Sequence, residues 1–181
     1  MSICGTEELD AESIVATLNK FGVKYVVIGA FAAQLQGAPI PRTRDIDVTP
    51  ASDAANLKRL SAALHELQAR IRVADIREGL PFDHNGPSLG RARMWSLTSP
   101  QGEFDISLVP SGTLGYDDLA RHAHIVESHG ESIPVADLDD VIRSKEAAGR
   151  PKDIVHLPIL IQTSRRRRVD RDRDAGFDID F

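Results

Sequence analysis

Hydrophobic residues along this chain change period several times, and each change marks an element. Ile14, Val15, Leu18 and Phe21 share one helical face that ends at Gly22. Residues 24–28 then form a short apolar run that reads as a buried strand, followed by a Gly29-Ala30 turn and a short helix over 31–36 that stops at Gly37. Leu57, Leu60, Leu64 and Leu67 form a stripe on a second long helix, with Ser52 as the expected N-cap. A strand follows over 70–73, then a Pro- and Gly-rich loop over 79–90. Residues 92–98 and 103–109 read as a hairpin turning at Pro100-Gln101-Gly102. The remaining pattern gives a helix over 116–123, strands over 124–127 and 132–135 paired across His129-Gly130, and helices near 137–148 and 152–162. Gly149-Arg150-Pro151 separates the last two, glycine stopping one helix and proline starting the next. Strands and helices are thus interspersed, which predicts an α+β domain over residues 1–164 with a mixed β-sheet flanked by helices. From 165 the apolar residues thin out while Arg and Asp alternate, so residues 165–181 are expected to be a disordered charged tail.

Chemistry enters where the alternation places carboxylates. A strand sends successive side chains to opposite faces, so in Asp45-Ile46-Asp47-Val48 both aspartates share the polar face while Ile46 and Val48 enter the core. The same alternation around Phe104-Asp105-Ile106 sets Asp105 on a polar face with Ser107. If these strands are neighbours, three carboxylates converge. Oxygen ligands of that kind suit magnesium, with manganese able to substitute, because such ions keep several waters and are completed by substrate phosphates. Upstream, a glycine-led turn such as Gly29-Ala30 lets backbone amides approach a phosphate.

Together these residues resemble the nucleotidyltransferase superfamily, with the DNA polymerase β type of fold, whose signature is a glycine turn, then Asp-x-Asp, then a third Asp. Gly29, Gly37, Arg42-Thr43-Arg44-Asp45-Ile46-Asp47, Phe104-Asp105-Ile106 and the segment 138–153 are similar in particular to AbiEii-type toxins of type IV toxin-antitoxin pairs, including the MenT-like branch. The turn differs from the usual Gly-Gly or Gly-Ser in being Gly29-Ala30. The resemblance implies an enzyme that takes an NTP, releases pyrophosphate and adds NMP to an RNA, most plausibly the 3′ end of tRNA, with a cognate antitoxin as partner. It implies that Asp45 and Asp47 bind both metals and that Asp105 shares the catalytic one and helps deprotonate the attacking hydroxyl. Gly29, Ala30 and the following amides would cradle phosphates, and Lys145 would neutralise the triphosphate as a compact cation. Arg42, Arg44, Arg150 and Asp153 are further nucleotide-site candidates. Asp153 could cap its helix or orient Lys145 through a salt bridge. Thr43, two residues before Asp45, is a candidate for regulatory phosphorylation, since a dianion there would compete for metal.

Composition narrows this little further. With 181 residues, 41% hydrophobic and 27% charged, the chain suits one domain. No apolar run is long enough to span a bilayer, and residues 1–5 lack a basic segment leading into an apolar stretch, so a cytoplasmic protein is expected. A single cysteine, Cys4, excludes an intramolecular disulfide. His122 and His124 form the one close histidine pair, too few ligands for a metal site. A net charge of −5 means that nucleic acid would be held by local patches, for which Arg42, Arg44, Arg70, Arg72, Arg77, Arg91 and Arg93 are candidates. An aminoglycoside-modifying enzyme, an enzyme adding AMP to a protein, and a catalytically silent nucleotide- or antitoxin-binding module are the competing readings.

Overall fold

A computed structural model of the chain describes residues 8–175; Cys4 and the last residues of the tail lie outside that range. Eight strands form one mixed sheet in the order β4-β3-β5-β6-β2-β1-β8-β7. Its centre consists of β1 (Tyr25–Ile28), β2 (Asp45–Pro50) and β6 (Gly102–Ser107), with β1 antiparallel and β6 parallel to β2. The expected hairpin pairs β5 (Met94–Ser99) with β6, and the second pairs β7 (His124–Ser128) with β8 (Glu131–Val135). β3 (Arg70–Val73) adds to the outer side of β5 and carries β4 (Ile76–Leu80) at the sheet edge. The loop expected over 79–90 therefore gives up its first residues to β4, and α4 (Gly86–Leu89) is a single turn within it.

The helical stripes are core, as their spacing predicts. α1 (Ala11–Lys20) buries Ile14, Val15 and Leu18, and Asp10 caps it by accepting from the Ser13 amide at 3.0 Å. α3 (Ala54–Glu66) buries Leu57, Leu60 and Leu64. Its N-cap is Asp53 rather than Ser52: the Asp53 carboxylate accepts from the Asn56 amide at 3.0 Å, and adjacent cap-forming residues left the sequence reading one position early. The fully buried side chain of Asn56 then accepts from the Lys24 amide at 2.7 Å and ties α3 to the start of β1.

α2 (Gly29–Leu35) begins at the glycine itself, and α5 (Tyr116–Ala120) is shorter than expected. α6 (Leu138–Ala148) packs against α2 and ends at Gly149, whose φ of +60° provides the left-handed turn that closes a helix. α7 (Pro151–Ala175) differs most from expectation. It runs for 25 residues through Arg165–Arg168 and the alternating Arg and Asp. The expected disorder from 165 onward does not occur over 165–175, because side chains on its inner face find partners on the domain. Ser164 donates to Asp139 at 2.6 Å, Arg167 donates to the Gln36 carbonyl at 2.9 Å, and Arg168 pairs with Asp139. Pro158 lies on the solvent side of α7, where the carbonyl it leaves without a donor can be hydrated.

Candidate functional site

The register of β2 fixes the site. Asp45 and Asp47 are half-buried on one face while Ile46 and Val48 are wholly buried on the other. On the parallel neighbour β6, Asp105 is the direct partner of Asp47, and Glu103 that of Asp45. The three expected carboxylates therefore come together at the sheet centre. They open into a cleft of about 390 Å³ that is also lined by Gly29, Ala30, Arg42, Thr43, Lys145, Arg150 and Asp153.

Gly29 is demanded here for space as well as for conformation. Its φ is +78°, and a Cβ on it would stand 2.1 Å from Asp47 Oδ2. The first turn of α2 and the Asp47 carboxylate thus share a volume that any side chain would fill. Gly29→Ala is expected to displace Asp47 and reduce activity at least roughly a hundredfold. Unfolding should also cost about 1–3 kcal/mol less than in the wild type. Denaturant titration and a transfer assay on the same preparation check this.

Asp47 feels burial first, then repulsion from Asp45 and Asp105, and its pKa is pushed up to about 7 in spite of the nearby cations Lys145 and Arg150. Burial also raises Asp105, against the opposing pull of Arg72. Lys145, buried at the inner face of α6, donates to Asp153 Oδ1 at 2.8 Å, and Arg150 donates to Oδ2 at 2.6 Å. Asp153 is wholly buried. Burial raises its pKa, but the hydrogen bonds from Arg150 and Lys145 outweigh this and hold it below the usual carboxylate range. Of the two alternatives for Asp153, the salt bridge to Lys145 is formed, and it is formed from the first turn of α7. Thr43 Oγ1 donates to Asp45 Oδ1 at 2.8 Å.

Sequence reasoning missed the role of Arg72 as an individual. Its guanidinium spans β6, with Nη1 on Glu103 at 2.9 Å and Nη2 on Asp105 at 2.7 Å. The other central arginines do not line the same cleft. Arg70 and Arg77 border a separate hollow with Phe82 at the β4 edge, while Arg91 and Arg93 border another with Leu114. Arg42 lines the cleft but pairs with Glu8 at 2.5 Å, and Arg44 is exposed outside it. Alternation in Arg70-Ile71-Arg72 signals that Arg72 faces the polar side of the sheet, but only the strand order brings it to Asp105. Lys152 and His156, four residues apart on α7, also line the cleft and were not singled out. His122 turns instead to Asp140, at 3.2 Å.

Among the described residues, no group of three or more His, Cys, Asp or Glu side chains is gathered closely enough to hold a metal ion by itself. The carboxylates nevertheless fit an open divalent site: burial, with repulsion from Asp45 and Asp105 added to it, holds Asp47 near neutral pKa, and a hard cation relieves both. Magnesium is commonly held by one or two carboxylates with the remainder supplied by water and phosphate, so a partial protein set is what this chemistry needs.

No family model and no curated protein sequence matches the chain. Solved structures do. A Thermotoga maritima protein assigned as a nucleotidyltransferase aligns with a TM-score of 0.53 at 19% identity, over 84% of this chain and 90% of its own. The lincosamide antibiotic adenylyltransferase LnuA, bound to lincomycin, aligns with a TM-score of 0.56 at 15% identity, over 85% and 96%. ANT(2″)-Ia in complex with adenylyl-2″-tobramycin aligns with a TM-score of 0.53 at 15% identity, over 91% and 93%. The chain has the nucleotidyltransferase fold, a mixed sheet with flanking helices, as the sequence led us to expect.

Proposed function

We propose that this chain is a magnesium-dependent nucleotidyltransferase that transfers NMP from an NTP to the 3′ end of a tRNA, and that it acts as the toxin of a cytoplasmic type IV toxin-antitoxin pair. The observation that carries the transferase reading is the meeting of Asp45, Asp47 and Asp105 in one cleft with Lys145 in this fold. The acceptor and the toxin role rest on the resemblance of the motifs to AbiEii-type proteins. Divalent ions held by Asp45, Asp47 and Asp105 would neutralise the charge that develops on the phosphoryl oxygens. The acceptor hydroxyl oxygen forms a bond to the α-phosphorus as the α–β bridging P–O bond breaks, and pyrophosphate leaves. The hydroxyl proton passes to Asp105, whose affinity for protons is increased by burial. Lys145, aimed by Asp153, and Arg150 steady the triphosphate, and the amides after Gly29 approach its outer phosphates.

Incubating purified protein with total tRNA, Mg²⁺ and each α-³²P-labelled NTP tests this reading. Label on RNA with the wild type and not with Asp45→Ala supports it, and its absence with all four nucleotides overturns the RNA acceptor. A second reading, adenylyl transfer to a small antibiotic, is favoured by the likeness to LnuA and ANT(2″)-Ia. Resistance in an expressing strain would support it.

Thr43 gives the site a means of control. Its hydroxyl donates to Asp45 and so orients one metal-binding carboxylate. A phosphate there would remove that donor and set a dianion against Asp45. Thr43→Glu is expected to lower transfer roughly a hundredfold, while Thr43→Val, which removes only the hydrogen bond, should lower it no more than about tenfold. Full activity and toxicity in Thr43→Glu would remove the basis for this control.

A further inference from the structure

The outer half of α7 holds six arginines against three aspartates over residues 165–175, in a chain whose net charge is −5. The inward-facing members are already engaged: Arg167 with the Gln36 carbonyl, Arg168 with Asp139, and Arg171 against the Arg167 carbonyl at 3.4 Å. Arg165, Arg166 and Arg173 are exposed, and none makes an ion pair with another described residue. Arg166 and Arg173 belong to a stripe at alternating spacings of three and four, Lys152, Val155, Ile159, Gln162, Arg166, Val169 and Arg173, which is one line along a helix. Lys152, at its head, lines the catalytic cleft. Val155 and Val169 are 70% and 51% exposed, so the stripe meets solvent at both ends, with Arg165 on its flank and Asp170 on its other border.

We propose that this face of α7 is a docking rail for the RNA acceptor. The inference rests on reading that acceptor as an RNA, and it assigns a surface to it. At about 1.5 Å per residue the stripe runs roughly 30 Å from Lys152 to Arg173. A phosphodiester chain following it is led into the mouth of the cleft, where its terminal hydroxyl has to sit. A lincosamide- or aminoglycoside-sized acceptor would leave most of that length untouched. Unpartnered guanidinium groups suit phosphate, and the sequence-independent contact they make weakens steeply with salt.

The test measures binding of fluorescein-labelled total tRNA to the full chain without NTP, by anisotropy over a series of KCl concentrations. Arg165→Glu/Arg166→Glu/Arg173→Glu is expected to bind at least about tenfold more weakly, with a salt slope less steep by about two to three. Arg165→Lys/Arg166→Lys/Arg173→Lys, which keeps the charge, should bind within about threefold of wild type. Circular dichroism and binding of a fluorescent ATP analogue should be unchanged in both, which separates loss of docking from loss of the helix. Wild type that does not bind tRNA, or a glutamate variant with unaltered affinity and slope, overturns the proposal and leaves the stripe to an acidic protein partner. The two readings fail separately: tRNA bound through the rail but never labelled removes the transfer reading and leaves the rail, whereas labelling with unchanged KM in the glutamate variant does the reverse.

Discussion

Replacing Asp47 with asparagine is expected to lower nucleotidyl transfer roughly a thousandfold while raising the melting temperature of the metal-free protein. The two effects have one cause. Asp47 is the middle carboxylate, paired across strands with Asp105 and two positions along β2 from Asp45, so it is where repulsion and burial add. Its pKa rises from 3.8 to about 7, so the folded chain binds a proton more tightly than the unfolded one. Above pH 7 the folded state must hold an unfavourable charge, which costs about 4 kcal/mol at 1.36 kcal/mol per unit. The penalty shrinks as pH falls below 7 and is gone below the unfolded value near 4. Asparagine removes it, so the variant should melt on the order of 8–16 °C higher than wild type at pH 8, with no difference at pH 3.5. Saturating Mg²⁺ should raise the wild-type midpoint more than the variant's, because the variant keeps only Asp45 and Asp105 to attract the ion. Calorimetry at these two pH values, with and without Mg²⁺, checks each part. A variant that melts lower than wild type at pH 8 would show that the carboxylates do not strain the fold.

Lys145→Met is expected to act in the opposite sense on stability. Its ammonium is buried against Asp153, and deleting one partner of a buried pair typically costs 3–5 kcal/mol. Arg150 remains on Asp153, which puts the loss toward the lower end, about 3 kcal/mol, or a fall in melting temperature of roughly 6–12 °C. Transfer should fall about a hundredfold or more, because Lys145 also acts on the charge of the cleft through Asp47. Lys145→Met/Asp153→Leu separates the two roles. It removes both buried charges and leaves Arg150 largely in solvent, so most of the lost stability should return and none of the activity. Recovery of activity along with stability would reduce Lys145 to a structural residue.

Local alternation carried most of the site. Asp45-Ile46-Asp47 and Phe104-Asp105-Ile106 declared their faces by period alone, and Gly149-Arg150-Pro151 declared the break that brings α7 back to the cleft. What the sequence could not supply was the order of strands. Nothing in residues 70–73 says that β3 will lie beyond β5, so Arg72 looked like one of several surface arginines rather than the partner of Asp105 and Glu103. β4 contains Gly79 and borders a turn, and α4 is four residues long, so both carry too little pattern to stand out. The stretch after Arg165 misled for another reason. Its helix is held by a few long-range polar ties to Asp139 and Gln36, and such ties leave no periodic trace in the sequence.

The carboxylates sit on β2 and β6, inside the sheet, with paired strands on both sides. Amides there open only with the whole domain, whereas the end of α7 is tied down by few contacts and can fray at low cost. Hydrogen exchange would therefore grade this molecule from a rigid catalytic floor to a labile outer helix. Mild heat or denaturant would loosen that helix while the aspartates kept their geometry, so the proposed hold of α7 on an RNA would be lost before the cleft itself changed.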